Sequence, residues 1–239
     1  MPVPTLLATF SRSMVATSFG DPKMIHAFEP FALGERHSRL GTDVSSWHDT
    51  SIAWAYPQVC TTFGYVHRGP SILSTPHGDF ILAAGMYFAL PGPGHMTSGA
   101  GLLIHALGYR GFFHLGGPVE ITGRLRYIDG CTDSLLIAPV MLGDPCLNLL
   151  HLPPRTIQTT HTHPSIRVGL ILEGQGTCVT PDARYPLAPG LAFIIEPDGL
   201  HAFHTDDQAL RVLAYHPDSD FGPTHENHPM VNRTIIPGT

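Results

Sequence analysis

Three histidines of this 239-residue chain, His161, His163 and His201, have the type and spacing that chemistry needs. In an extended segment side chains two apart project to one face, so His161 and His163 of QTTHTHPSIRVGLILEGQG can aim at a common centre. A solitary His-x-His also describes two exposed imidazoles beside a turn. The later segment PLAPGLAFIIEPDGLHAFH strengthens the metal reading, because a Gly-bounded strand and a Pro-Gly turn lead directly to His201. Sixteen histidines in the chain point to metal chemistry in general without locating it.

Taken together, these residues resemble the cupin family. Its first motif runs Gly, five residues, His-x-His, three or four residues, Glu, six residues, Gly, and its second runs Gly, five residues, Pro-x-Gly-x-x-His. His161, His163 and Gly174 fall in register with the first motif, and Gly190 precedes His201 at the family's distance. Pro197-Asp198-Gly199 is slipped by one position, Arg155 stands at the opening glycine, and Arg167 replaces the glutamate ligand. The resemblance spans residues 145–217. It implies a barrel whose inner face offers His161, His163 and His201 to one metal.

Arg167 cannot be the fourth ligand, since a guanidinium is cationic and has no free lone pair. Three neutral imidazoles leave the metal charge uncompensated and coordination positions open, which suits a bidentate anion, O₂ or water. The resemblance points to Fe(II), with Mn, Ni, Cu and Zn as alternatives, because cupins with three histidine ligands include non-haem iron dioxygenases. Arg167 is expected either to pair with a substrate carboxylate or to be a strand-edge arginine paired with Glu173 or solvent. Gln158 and His204 are the candidates for supporting a ligand imidazole or a bound oxygen species. The parity of His204, opposite to that of His201, favours a surface or inter-sheet position. Tyr215 and His151 fit core packing better than proton transfer, and Phe193 and Phe203 are expected to restrict water. His225-Glu226-Asn227-His228 is no zinc-protease signature, because its histidines are three apart and Pro223 and Pro229 oppose a helix.

The elements that must position these residues read as all-β. Short β-rich runs separated by Gly and Pro, among them TTFGYVH, GLLIHALGYRGFFHLGG, CLNLLHL and ALRVLAYHP, show no helical period over ten residues. Two tandem cupin-type double-stranded β-helix (jelly-roll) barrels are expected. Residues 1–44 read as an N-terminal arm, 45–122 as a degenerate first barrel without a His-x-His, 123–221 as the metal-binding barrel, and 222–239 as an extended tail. The halves divide near GGPVEITG.

A net charge of −6, with 13 Lys and Arg scattered singly, leaves no basic stripe for nucleic acid. No apolar run approaches the ~18 residues of a membrane span, and the start lacks a basic leader, so a cytoplasmic protein is expected. Cys60, Cys131, Cys146 and Cys178 form no CxxC pair and read as small buried apolar residues. The function expected is oxidation of a small, carboxylate-bearing substrate by O₂, in a homodimer. The alternatives are a metal-assisted isomerase, lyase or hydrolase, and a non-catalytic sugar- or acid-binding module.

Overall fold

The structure is a computed structural model, and it describes residues 27–236. Strands dominate, and they fall into two pairs of sheets. The first half builds a six-stranded sheet that curls over a four-stranded one, and the second half a seven-stranded sheet over a three-stranded one. Each pair closes a jelly-roll barrel. Two such barrels in tandem are the expected all-β architecture. Among the described residues no helix is long and apolar enough to cross a membrane.

Central strands explain the near-continuous apolar runs. Cys60–Arg68 and Ala100–Leu107 are buried along almost their whole length, because each faces a barrel interior on one side and the other barrel on its opposite side. In Ala100–Leu107, Leu102, Ile104 and Ala106 join a core shared with Leu147, Leu149, Val168, Leu170, Leu213 and Tyr215 of the second half. Leu103 instead turns into the first barrel with Trp47, Trp54 and Phe88. In Leu210–His216, Leu210 and Val212 likewise enter the second barrel with Phe193 and Phe203. Alternation in the strands thus sorts each sheet's side chains between barrel and barrel-barrel core.

The segment expected to be an arm is partly strand. Phe28–Phe31 adds an edge to the second barrel, pairing antiparallel with Ala192–Ile195, while Arg36–Arg39 and Thr42–His48 belong to the first barrel's large sheet. The boundary at 44 therefore falls inside a strand. Four-residue strands divided between two sheets carry too little periodicity to be seen in sequence. Arg39 fastens the crossing, bonding Glu196 Oε1 through Nε at 2.6 Å and pairing with Glu29. Residues 1–26 of the expected arm lie outside the described residues. The halves divide between His114–Gly116 and Leu125–Arg126. In the tail, Pro229 opens a single helical turn, Pro229–Asn232, capped by His228. Proline suits a first helical position, so Pro229 starts this turn, whereas residues 225–228 before it are not helical, as expected.

All four cysteines are free and buried. Burial pushes the Cys146 and Cys178 thiols up to about 12, which leaves them as inert packing groups.

Candidate metal centre

His161 and His163 do not lie in a regular strand. The backbone from Thr156 to His163 runs extended beside residues 201–205, fastened by an isolated pair of hydrogen bonds, His161 N–H to His201 O at 2.9 Å and His201 N–H to His161 O at 3.0 Å. Asp198 makes the turn before His201 at φ 56°, and its N–H bonds His163 O at 2.7 Å. A bend at Pro164-Ser165 then separates His163 from the strand Arg167–Gly174. Arg167 faces inward on this strand.

The three rings converge. Their centroids are 4.5 Å (His161–His201), 5.0 Å (His161–His163) and 5.3 Å (His163–His201) apart. The candidate ligand atoms all lie within 4.8 Å of one another. Nitrogens at ~2.1 Å from one ion stand roughly 3 to 3.5 Å apart, so small side-chain rotations bring these atoms onto a common centre. Two rings are already oriented: Nδ1 of His161 is 2.8 Å from Thr159 O and Nδ1 of His201 is 2.8 Å from Gly199 O. A carbonyl accepts only, so each Nδ1 carries the proton and each Nε2 keeps its lone pair for a metal. Burial, reinforced by the Arg167 charge, pushes His163 down to about 3, and burial holds His201 at about 4 against its bond to Gly199. At neutral pH both are uncharged donors. The donor set fits a first-row divalent metal.

These rings line a cavity of about 270 Å³ inside the second barrel, together with Gln158, Arg167, Phe193, Phe203, Asp133, Asn148 and His216. Across its floor Asn148, Ala214, Gly169 and Phe193 stand side by side in the sheet. The Phe193 ring fills the space over Gly169, where a Cβ would lie 2.1 Å from it. Phe203 meets Phe193 edge-on at 5.7 Å.

Arg167 lines this cavity with its side chain 12% exposed and does not pair with Glu173, which pairs with Arg211. Its Nη1 bonds Ser165 Oγ at 2.6 Å and Ile166 O at 2.9 Å and lies 3.7 Å from Asp218. Its Nε has no partner. Gln158 accepts the Phe203 N–H through Oε1 at 3.0 Å, and its buried Nε2 is left unpartnered. His204 is not brought to the site. It sits on the far side of the strand Ala202–His204, opposite Thr177, because residues three apart in an extended chain face opposite ways. Tyr215 is fully buried in the barrel-barrel core against Phe63 at 5.2 Å, and His151 is not among the cavity's lining residues. His216, 6.4 Å from the His163 ring, and the pair Asp133 and Asn148 carry no sequence motif that marks them. Inward parity on their strands was the signal available.

The first barrel differs at the equivalent depth. His105 is buried with Nε2 2.8 Å from Ser45 Oγ and Nδ1 2.9 Å from Thr62 Oγ1. Both ring nitrogens are occupied, and among the described residues only the second barrel gathers three possible ligands.

Solved structures with the same arrangement of strands settle the architecture. The protein Ylba from E. coli superposes with a TM-score of 0.58 at 15% identity, covering 84% of this chain and 94% of that one. A cupin 2 conserved barrel domain protein from Leptotrichia buccalis gives 0.55 at 11%, covering 79% and 88%. This chain shares the fold of these cupin structures. Salicylate 1,2-dioxygenase from Pseudoaminobacter salicylatoxidans, solved with gentisate, is a further structural neighbour at TM-score 0.55 and 12% identity, covering 74% of this chain and 67% of that one. Residues 152–227, which include all three converging histidines, match a family described as an AraC-like ligand binding domain. No curated protein sequence matches.

Proposed function

We propose that this protein is a metal-dependent cupin oxidoreductase, a non-haem iron dioxygenase acting on a small, carboxylate-bearing substrate. The observation that carries the proposal is the convergence of three imidazoles, with no carboxylate among them, on an apolar cavity that also holds a largely buried arginine. Dioxygenase chemistry in one structural neighbour supports it only as an analogy of fold. His161 and His201 would hold iron(II) through Nε2, and His163 would complete the set. Iron(II) bound there supplies one-electron chemistry toward O₂, at positions the three imidazoles leave open.

The chain's own residues do the rest. Arg167 offers its free Nε to a substrate carboxylate, with Nη1 anchored on Ser165 and Ile166 so that the fork is preorganised. Gln158 Nε2 donates to a second oxygen. Phe193, Phe203 and Ile195 keep water from the reacting groups, and the carbonyls of Thr159 and Gly199 hold the Nδ1 protons.

Elemental analysis of the purified protein beside the variant His161→Ala/His163→Ala/His201→Ala tests the metal, and an oxygen electrode tests the reaction. The expected result is iron near one per chain, absent from the variant, with substrate-dependent O₂ uptake. Metal retained equally by the variant would refute the centre. Turnover without O₂ uptake would move the protein to isomerase, lyase or hydrolase chemistry. The ligand-binding family matched by residues 152–227 favours a second reading, a small-molecule sensor, which binds its ligand with no turnover at all.

A further inference from the structure

The cavity contains polar groups for which neither the metal nor an acid group gives a use. Asp133 lies on Thr132–Ile137 opposite Leu150, and Asn148 lies one inward position away on the neighbouring strand, Cys146–Leu152. Asn148 Nδ2 donates to both Asp133 oxygens, at 3.1 and 3.3 Å. Since a carboxylate takes only donors, this bond fixes the amide: Nδ2 is engaged by Asp133, and Oδ1 is the atom left over. That Oδ1 is buried without a partner, on a side chain only 9% exposed. The carboxylate has roughly four lone-pair sites, and Asn148 is its one hydrogen-bond partner among the described residues. Burial accordingly pushes Asp133 up to about 6.

The polar groups therefore separate by sign. Arg167 Nε and Gln158 Nε2 are unpartnered donors, whereas Asn148 Oδ1 and the Asp133 carboxylate are underused acceptors, and all four residues line the same cavity. Along the sheet, Asn148 is level with Gly169, two residues on from Arg167, and Asp133 is level with Ile171. At ~3.3 Å per residue the two ends are offset by about 7 to 13 Å along the strands, and the strand Leu210–His216 lies between them across the sheet. A cavity of about 270 Å³ takes a small molecule. Two neighbouring acceptors need two hydrogens from one ligand group, which an amino group supplies and a hydroxyl does not.

We propose that Asp133 and Asn148 are specificity-determining residues that bind an amino group of the ligand whose acid group is held by Arg167 and Gln158, so that the occupant is a small amino-substituted acid. This inference rests on the cavity being the ligand site of a metal-dependent cupin, as argued above.

The test uses the iron-loaded full chain and isothermal titration with benzoate, 3- and 4-hydroxybenzoate and 3- and 4-aminobenzoate. At least one aminobenzoate is expected to bind about tenfold more tightly than benzoate, and more tightly than the hydroxybenzoate of the same pattern. In Asp133→Leu that ratio should fall to about one, and in Asn148→Leu to an intermediate value. Asp133→Asn, which can keep a bond to Asn148, serves if the leucine variant does not fold, and it should also lower the ratio. No amino preference in the parent protein, a preference for hydroxyl, a ratio unchanged in the variants, or no acid bound at all would each overturn the inference. Iron content of the same samples separates the two proposals. A chain that takes up no iron sinks the proposed function, whereas iron near one per chain without an amino preference sinks only the assignment of Asp133 and Asn148.

Discussion

Arg167 carries its charge into an apolar barrel with Asp218, 3.7 Å away, as its near counter-ion. Burial lowers the affinity of such a guanidinium for its proton, and a buried cation with so loose a partner is costly unless an anion joins it. Arg167→Gln is therefore expected to weaken benzoate binding by tenfold or more while iron content stays near that of the parent protein, because Arg167 is not a ligand. Calorimetric titration beside metal analysis checks this, and an unchanged dissociation constant would count against the role. The three histidines were legible because two-residue spacing and a glycine-to-histidine distance survive in any extended chain. Asp133, Asn148 and His216 were not, because nothing local to them signals that three strands will present them to one space.

Gly174 ends the strand Arg167–Gly174 at φ +83°, and a Cβ there would lie 1.8 Å from the Ala209 carbonyl oxygen. The strand must therefore leave the sheet at that residue, which sets the register of Arg167, Gly169 and Ile171 against Leu210–His216. Gly174→Ala should destabilise the fold by at least ~2 kcal/mol, through steric overlap and backbone strain together. A urea titration at fixed metal concentration measures it, and a loss below ~0.5 kcal/mol would show that the turn has another way to close. Gly174 was readable as a motif position, and the long strands were readable from apolar runs. The Phe28–Phe31 edge was missed because four residues paired to a distant strand have no period of their own.

The two barrels share one core, so they should unfold together. Both tryptophans, Trp47 and Trp54, pack in the first barrel, whereas Leu213 enters the shared core from the second. Leu213→Ala is expected to cost about 2 to 5 kcal/mol and to shift the tryptophan-detected transition as far as the loss of metal. Two separate midpoints would disprove the coupling. Acid should act on the whole molecule as well. Burial holds His105 and His201 near 4 and His163 and His216 near 3, while the same rings titrate near ~6.5 when unfolded. The unfolded chain thus takes up more protons in that window, so stability present above about pH 6.5 is lost as pH falls toward 4. Asp133, pushed up to about 6, has the opposite sign and favours the folded state at low pH, but it is one group against four. A melting temperature of the metal-free protein that falls steadily from pH 6.5 to 4.5 is expected, and a flat or rising profile would contradict it.

From its sequence alone this protein could be read as strands, by spacing along an extended backbone, and, through its resemblance to the cupin family, as two tandem barrels with three histidines suited to a metal. Tertiary structure decided which side chains surround that centre: it turned His204 outward, gave Glu173 to Arg211, and brought Asp133 and Asn148 into the cavity. Those outcomes depend on how distant strands pair and on which face of each sheet meets the other barrel. Local sequence does not encode these choices, because a strand offers its two faces equally until the rest of the fold buries one of them.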